Sequence, residues 1–513
     1  MSIVVKPYTF SAGAIIVAAE HNSNFDTLYN DYNGNITNAN VSQSFVIPGI
    51  WTVISDYADD LTIAINTIGS TQTLLIINKA ITLTSSDIVP SNICLWIVEG
   101  GSIIRAGGFT LTINGPFEAG LYQVFSGFTS GVTFGHSAIK MAIPQWWGAT
   151  GNGTTDDTIA IKAAIASLPI ADGTAGDIAH GQPGGIIFLP QGKYKITSVL
   201  GLYEGMFLKG AGMLATEIYN ASTSGSDDAI NLSNKGRSAI EYFGGVSDLC
   251  IRGNVSSGLG IYLNGLAYCH FENLLITENG TDGIRIDGTI GGSWKNIYSY
   301  GNYNDGLNIP ITYSTTVQNF DTCQFRANAN NGVLWGGISG YMNNCLIESN
   351  ASKGIIVTNT YNNFTNLYCE NNNGGGSGAV ELEVTSYGNV FTGTYLANGV
   401  IHISSTGTYN QFFTSCLSMA NPNFVIDSGA IYNEILFTKP INALNFHNQG
   451  GVTNVVLNAG KDIFPKTDGT YYVGNQASLP YMGYAGLVLK DAGNGKHYLI
   501  RMVSGVFTET ALD

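Results

Sequence analysis

Glu348 and Glu370 fall at the same place in two neighbouring copies of a repeated pattern, MNNCLIESN from Met342 and FTNLYCENN from Phe364. If the copies stack as adjacent strands, the two carboxyls come within about 5 Å of each other. That is nearer the roughly 5–5.5 Å of retaining glycoside hydrolysis than the roughly 6.5–9.5 Å of inverting hydrolysis. One carboxyl would act as acid and the other as nucleophile or base, because like charges that close push their proton affinities apart. The same pattern sets Tyr298, Tyr300, Arg326, Tyr368 and Tyr395 around them as candidate substrate-binding residues. Aromatic faces cover the C–H faces of sugar rings, and a guanidinium donates to hydroxyls or carboxylates. The set could instead run a β-elimination, with Arg326 neutralising a uronate carboxylate and Tyr300 abstracting the proton. The plain alternative is a solvated face on which Arg326 and Glu348 pair incidentally.

The elements that must position these residues are short strands. Blocks of similar form start at Val246, Phe271, Trp294, Phe320, Met342, Phe364, Phe391 and Phe413, and a second strand opening on glycine follows each of the first seven, as at Gly260, Gly283, Gly306, Gly332, Gly354, Gly378 and Gly399. A repeat of roughly two dozen residues with two or three strands matches one coil of a parallel β-helix. Successive strand residues point to opposite sides. Counting each block's first residue as zero, positions three and five (Leu249, Leu274, Ile297, Cys323, Cys345 and Leu367; Ile251, Ile276, Ser299, Phe325, Ile347 and Cys369) point inward. Position eight is Asn254, Asn279, Asn302, Asn328, Asn350 and Asn372. Stacked asparagines at a corner hydrogen-bond along the coil axis and tolerate left-handed backbone. Positions four and six face outward and carry the candidate site, with Cys250 and Arg252 in the first block.

Composition agrees with many short strands and tight turns. Of 513 residues 65 are Gly, and only 11% are charged, too few to solvate long helices. The 44% hydrophobic content, with 27 Tyr and 23 Phe, argues against disorder. The net charge of −15 and the absence of any Lys/Arg run exclude a nucleic-acid partner. No leader pattern and no apolar run of membrane-spanning length occurs, so no membrane insertion is expected. The seven Cys are odd in number and lack CxxC pairs, which fits buried free thiols. The seven His are scattered, so neither a metal site nor a cofactor is expected. Other places for the acid groups are Glu381 beside His402 and Asp287 near Arg285.

Between Ile143 and Thr216 the pattern changes. Asp156 and Asp157 precede a helix with Ile161, Ile165 and Leu168 on one face, so they cap it and do not catalyse, and the helix plugs the open end of the solenoid. Gly210 and Gly212 lack the Lys-Ser/Thr of a phosphate loop. Trp146-Trp147-Gly148-Ala149, Gly151-x-Gly153, Asp156-Asp157-Thr158, Ala160-Ile161, Ala163-Ala164-Ile165, Gly184-Gly185, Leu189-Pro190-x-Gly192-x-Tyr194 and Gly210-x-Gly212 with Thr216 resemble the opening of the pectate-lyase-like right-handed β-helix superfamily. That superfamily is common in phage tailspikes and capsule depolymerases. About 75 residues carry the resemblance closely, and Asn152 departs where the family often has Asp. The resemblance implies an all-β right-handed parallel β-helix, a homotrimer, and a viral tailspike that depolymerises a bacterial surface polysaccharide. It carries no catalytic residue over, since the family's catalytic residues have no fixed place in this motif. A lyase and a non-catalytic receptor-binding fibre stay open beside hydrolysis, as does a bacterial surface β-helix unrelated to phage. Residues 1–45 hold a helix through Ala18, Phe25, Leu28, Tyr29 and Tyr32, and the run from Ala19 to Leu28 is similar to virion-attachment segments of tail fibres. Residues 46–142 form a small β domain or initial coils, 143–448 the main β-helix, and 449–513 a C-terminal β cap, trimerisation or carbohydrate-binding module with a hairpin signal at Asn494-Gly495. Such a protein would be made in the host cytoplasm, carried on the virion tail, and act at the bacterial surface.

Overall fold

The computed structural model describes residues 51–169, 184–233, 241–375, 379–397, 399–414 and 423–437 except 428 and 431, together with five strands beyond. The attachment segment expected over 1–45 lies outside these residues. The architecture is a parallel β-solenoid. Two sheets run along the main body, one of 19 strands from Asn152–Asp156 to Asn454–Leu457 and one of 11 strands from Leu200–Leu202 to Asn445–Asn448. Each strand pairs in parallel with the equivalent strand one coil on, so the roughly two-dozen-residue repeat becomes a stack of coils.

Residues 51–134 form three more parallel sheets, of which Thr73–Ile77, Ala80–Thr82 and Asp87–Val89 supply one coil. The helix Thr158–Ala166 therefore does not close an open end. It packs against Val132–Phe134 on one side and Leu200–Leu202 on the other, and the Phe134 amide donates to the Ser167 carbonyl at 2.9 Å. With apolar layers on both sides it is buried through Ala160, Ile161, Ala163, Ala164 and Ile165, and leaves only the stripe of Ile159, Lys162 and Ala166 toward solvent. Trp146 and Trp147 fill the junction against Phe117, Phe125 and Phe134. The two aspartates divide their work. Asp156 accepts from the Thr158 amide at 3.0 Å and caps the helix, whereas Asp157 turns back to accept from the Thr150 and Gly151 amides at 2.7 and 3.1 Å.

The interior follows the alternation. All the inward positions from Leu249 to Cys369 are buried, and the block-opening aromatics stack on one another, Phe271 on Trp294 with centroids 3.7 Å apart and Phe391 on Phe412 at 4.7 Å. The last block is one residue out of the expected place. Phe412, not Phe413, pairs with Phe391 and points inward, and a one-residue slip exchanges the two faces. Cys250 sits in an outward column yet is buried, beneath the charged side chains of Glu217 and Arg252.

The asparagine stack is real from Asn279 onward. Asn279, Asn302, Asn328 and Asn350 each donate Nδ2 to the Oδ1 of the next at 2.7–2.9 Å. Asn254 stands outside it and donates to the Asn220 and Ser222 carbonyls. The left-handed residue is the one before each ladder asparagine (Glu278, Gly301, Ala327, Ser349, Asn371), so the asparagines bond and do not turn the chain. Each ladder amide lies against a glycine that opens the second strand of the preceding coil; a Cβ on Gly306 would come within 2.6 Å of Asn328 Nδ2. A second ladder, Asn362, Asn389, Asn410 and Asn433, lines another corner. At the far end Leu487–Lys490, His497–Val503 and Val506–Ala511 form an antiparallel sheet, and Asn494-Gly495 lies outside the described residues.

Candidate functional site

The coil stacking brings the sequence-selected residues into two adjacent outward columns of the long sheet. In one column Tyr298, Gln324, Leu346, Tyr368 and Tyr395 are register partners in turn; in the other Tyr300, Arg326, Glu348 and Glu370 are. Glu348 and Glu370 therefore face solvent on neighbouring strands, which lie about 4.8 Å apart. Both are partly buried, which leaves them open to a ligand above the sheet.

Arg326 Nε lies 2.9 Å from Glu348 Oε2, although its N–H is not aimed at that oxygen, so the contact is coulombic and not a directed hydrogen bond. The Arg326 side chain is 41% exposed, so the pair adds little to stability and the guanidinium can still reach a ligand. The Tyr368 hydroxyl donates to Glu370 Oε2 at 2.6 Å. That bond to a carboxylate, with some burial, pushes the phenol up to about 12, so it stays a donor. Tyr368 stacks on Tyr395 with ring centroids 5.0 Å apart and planes 17° from parallel, and Tyr300 is half exposed one rung from Arg326.

Register extends the strip beyond the residues chosen from sequence. Lys195, Tyr219, Arg252 and Thr277 continue the column of Tyr300, and Lys193 and Glu217 that of Tyr298. Arg252 donates twice to Glu217 Oε1 at 2.6 and 2.9 Å, and Lys193 and Arg252 lie 4.6 and 4.8 Å from the Tyr219 ring. The signal was present as TEIYN from Thr216, which has the alternation of the later blocks without their opening aromatic.

The other carboxylates fall elsewhere. His402 is not beside Glu381; its Nδ1 lies 3.2 Å from Glu383 Oε1 and its Nε2 3.2 Å from Asp427 Oδ2, with Lys353 paired to Glu383. Asp287 does contact Arg285, at 3.2 Å, and accepts from the Tyr262 hydroxyl, but on the second sheet. Among the described residues no group of three or more His, Cys, Asp or Glu is placed to hold a metal, and no helix is long and apolar enough to cross a membrane.

Stacked parallel coils, internal asparagine and aromatic ladders, and the buried tryptophan-bearing junction together decide the architecture. The chain has a parallel β-helix fold. No family model matches this β-helix. It is 30% identical over 208 residues to "Alginate lyase 7" of Azotobacter vinelandii, a match covering 32% of this chain and 22% of that protein. It is 28% identical over 206 residues to "Mannuronan C5-epimerase AlgE6" of the same organism, again covering 32% and 22%. The β-helix thus spans about a fifth of the length of these relatives. Similar solved structures include the gp42 tailspike of Acinetobacter phage vb_AbaP_AS12 (13% identity, TM-score 0.46, 70% of this chain and 74% of that one) and ORF18 of Geobacillus virus E2 (17%, TM-score 0.40, 72% and 68%).

Proposed function

We propose that the outward strip of the long sheet binds a bacterial surface polysaccharide and that Glu348 and Glu370 cleave it by glycoside hydrolysis. The observation that supports this is register: two carboxylates on adjacent strands, each with its own partner, flanked by a stacked tyrosine pair. The polymer would run across the strands along the solenoid axis, its rings against Tyr298, Tyr300, Tyr368 and Tyr395. Glu348, ion-paired with Arg326, is the carboxylate that attacks the anomeric carbon. Glu370 accepts the Tyr368 hydroxyl on one oxygen and carries on the other the proton given to the leaving glycosidic oxygen. The short separation supports the retaining course, in which water then releases the glycosyl-enzyme with Glu370 as base.

Elimination is the second reading, favoured by a curated relative named as a lyase and by the adjacency of Tyr300 and Arg326. We further propose a homotrimer on a virion tail, acting at the cell surface; the residues resembling tail-fibre and tailspike sequences support that setting. The test is to incubate the full chain with purified capsule and O-antigen from candidate hosts and to weigh the products. Fragments heavier by one water indicate hydrolysis, and unsaturated fragments absorbing in the ultraviolet without added water indicate elimination. Cell binding with no shortening of any polymer would leave a receptor-binding fibre and end both enzymatic readings. Light scattering at three chains per particle checks the trimer.

A further inference from the structure

The first asparagine ladder changes chemistry at one rung, the rung of Glu370. From Asn302 to Asn372, each asparagine Oδ1 accepts the backbone amide and the Nδ2 of the asparagine one coil before. At Asn372 both donors turn instead to Glu381, the amide to Oε1 at 3.2 Å and Nδ2 to Oε2. Glu381 is wholly buried and enters the interior where the register shifts between Val380 and Leu382. A bulge of this kind re-aims a side chain. The next coil makes room, because Gly399, at φ +95°, would place a Cβ 2.7 Å from Glu381 Cγ and 3.3 Å from Oε1.

An amide oxygen serves the same donors on the preceding rungs without the desolvation that a carboxyl incurs. The ionisable acceptor occurs where the outer strand ends in Glu370, two residues before Asn372, across left-handed Asn371. The ionisable groups that bear on Glu381 are Glu370 and the Cys369 thiol. Burial first, and then the charge of Glu370, push Glu381 up to about 7 against the pull of Asn372. We infer that Glu381 is a positioning residue for Glu370, a buried carboxyl that ends the asparagine ladder, fixes the turn behind the outer carboxylate and, when ionised, sets a like charge behind it. This rests on the proposed assignment of Glu370.

The test compares the wild-type full chain with Glu381→Gln and Glu370→Gln, on a capsule or O-antigen that the wild type shortens. Glu381→Gln keeps shape and one acceptor but cannot ionise. Removing a like charge moves the alkaline limb of kcat/KM to lower pH, by on the order of one unit. KM stays unchanged. Without substrate, the same variant shows a smaller fall in thermal midpoint than the wild type as pH rises from 4.5 to about 7, by the share that Glu381 contributes. An unmoved limb, or a fall in the midpoint of Glu381→Gln as large as that of the wild type, overturns the inference while Glu370→Gln remains inactive. An active Glu370→Gln instead removes Glu370 from the site, and the midpoint measurement then decides the ladder role of Glu381 alone.

Discussion

Asn328→Ala is the sharpest test of what holds the strip flat. Asn328 is buried, and its Oδ1 accepts from Asn302 N at 3.1 Å and Asn302 Nδ2 at 2.9 Å, while its own Nδ2 donates to Asn350 Oδ1 at 2.9 Å. Alanine leaves the Asn302 amide with no acceptor inside the solenoid, a loss of about 1–3 kcal/mol for a buried orphan. Asn302 Nδ2 keeps Ser299 Oγ at 3.0 Å, so its loss and that of the bond to Asn350 add about 0.5–1.5 kcal/mol each. The total is about 2–6 kcal/mol. Asn363→Ala, on an exposed strand position of the same solenoid, should stay within about 0.5 kcal/mol. Urea titration followed by tryptophan fluorescence reads both, since Trp294 and Trp335 are fully buried among these coils. Hydrogen exchange at Asn302 localises the effect, because coils stabilise one another through nearest neighbours. If Asn328→Ala costs no more than Asn363→Ala, the ladder is a packing coincidence and not the source of corner stability.

Arg326→Ala should change stability by less than about 1 kcal/mol, because the pair is partly solvated, yet lower polysaccharide shortening at least about tenfold, read by product mass against time. Tyr368→Phe keeps the stack on Tyr395 and removes the donor to Glu370, so kcat should fall about tenfold with KM within a factor of about three. Asp305 is buried and accepts from Asn331 and Asn330; burial first, and then the charge of Asp282, push it up to about 6. Its folded proton affinity exceeds its unfolded one, so the stability linked to it is complete below about pH 4 and is lost as pH rises through about 6. Asp305→Asn should abolish that share, on the order of 2–3 kcal/mol, in thermal midpoints measured from pH 4 to 7.

The sequence by itself determined the coil, the inward and outward faces from Leu249 to Glu370, the asparagine corner, and the adjacency of Glu348 with Glu370. In a solenoid the neighbour of each residue is its counterpart one repeat later. A local pattern of period two, repeated at a nearly constant interval, therefore dictates contacts between coils. Only tertiary structure decided what depends on irregularity. The slip that turns Phe412 inward, the bulge that buries Glu381, the cover that Glu217 and Arg252 lay over Cys250, and the pairing of His402 with Glu383 each arise where the interval changes or a long side chain reaches across rungs. A single inserted residue exchanges inside for outside, and nothing in the local alternation marks it until the next coil supplies the partner.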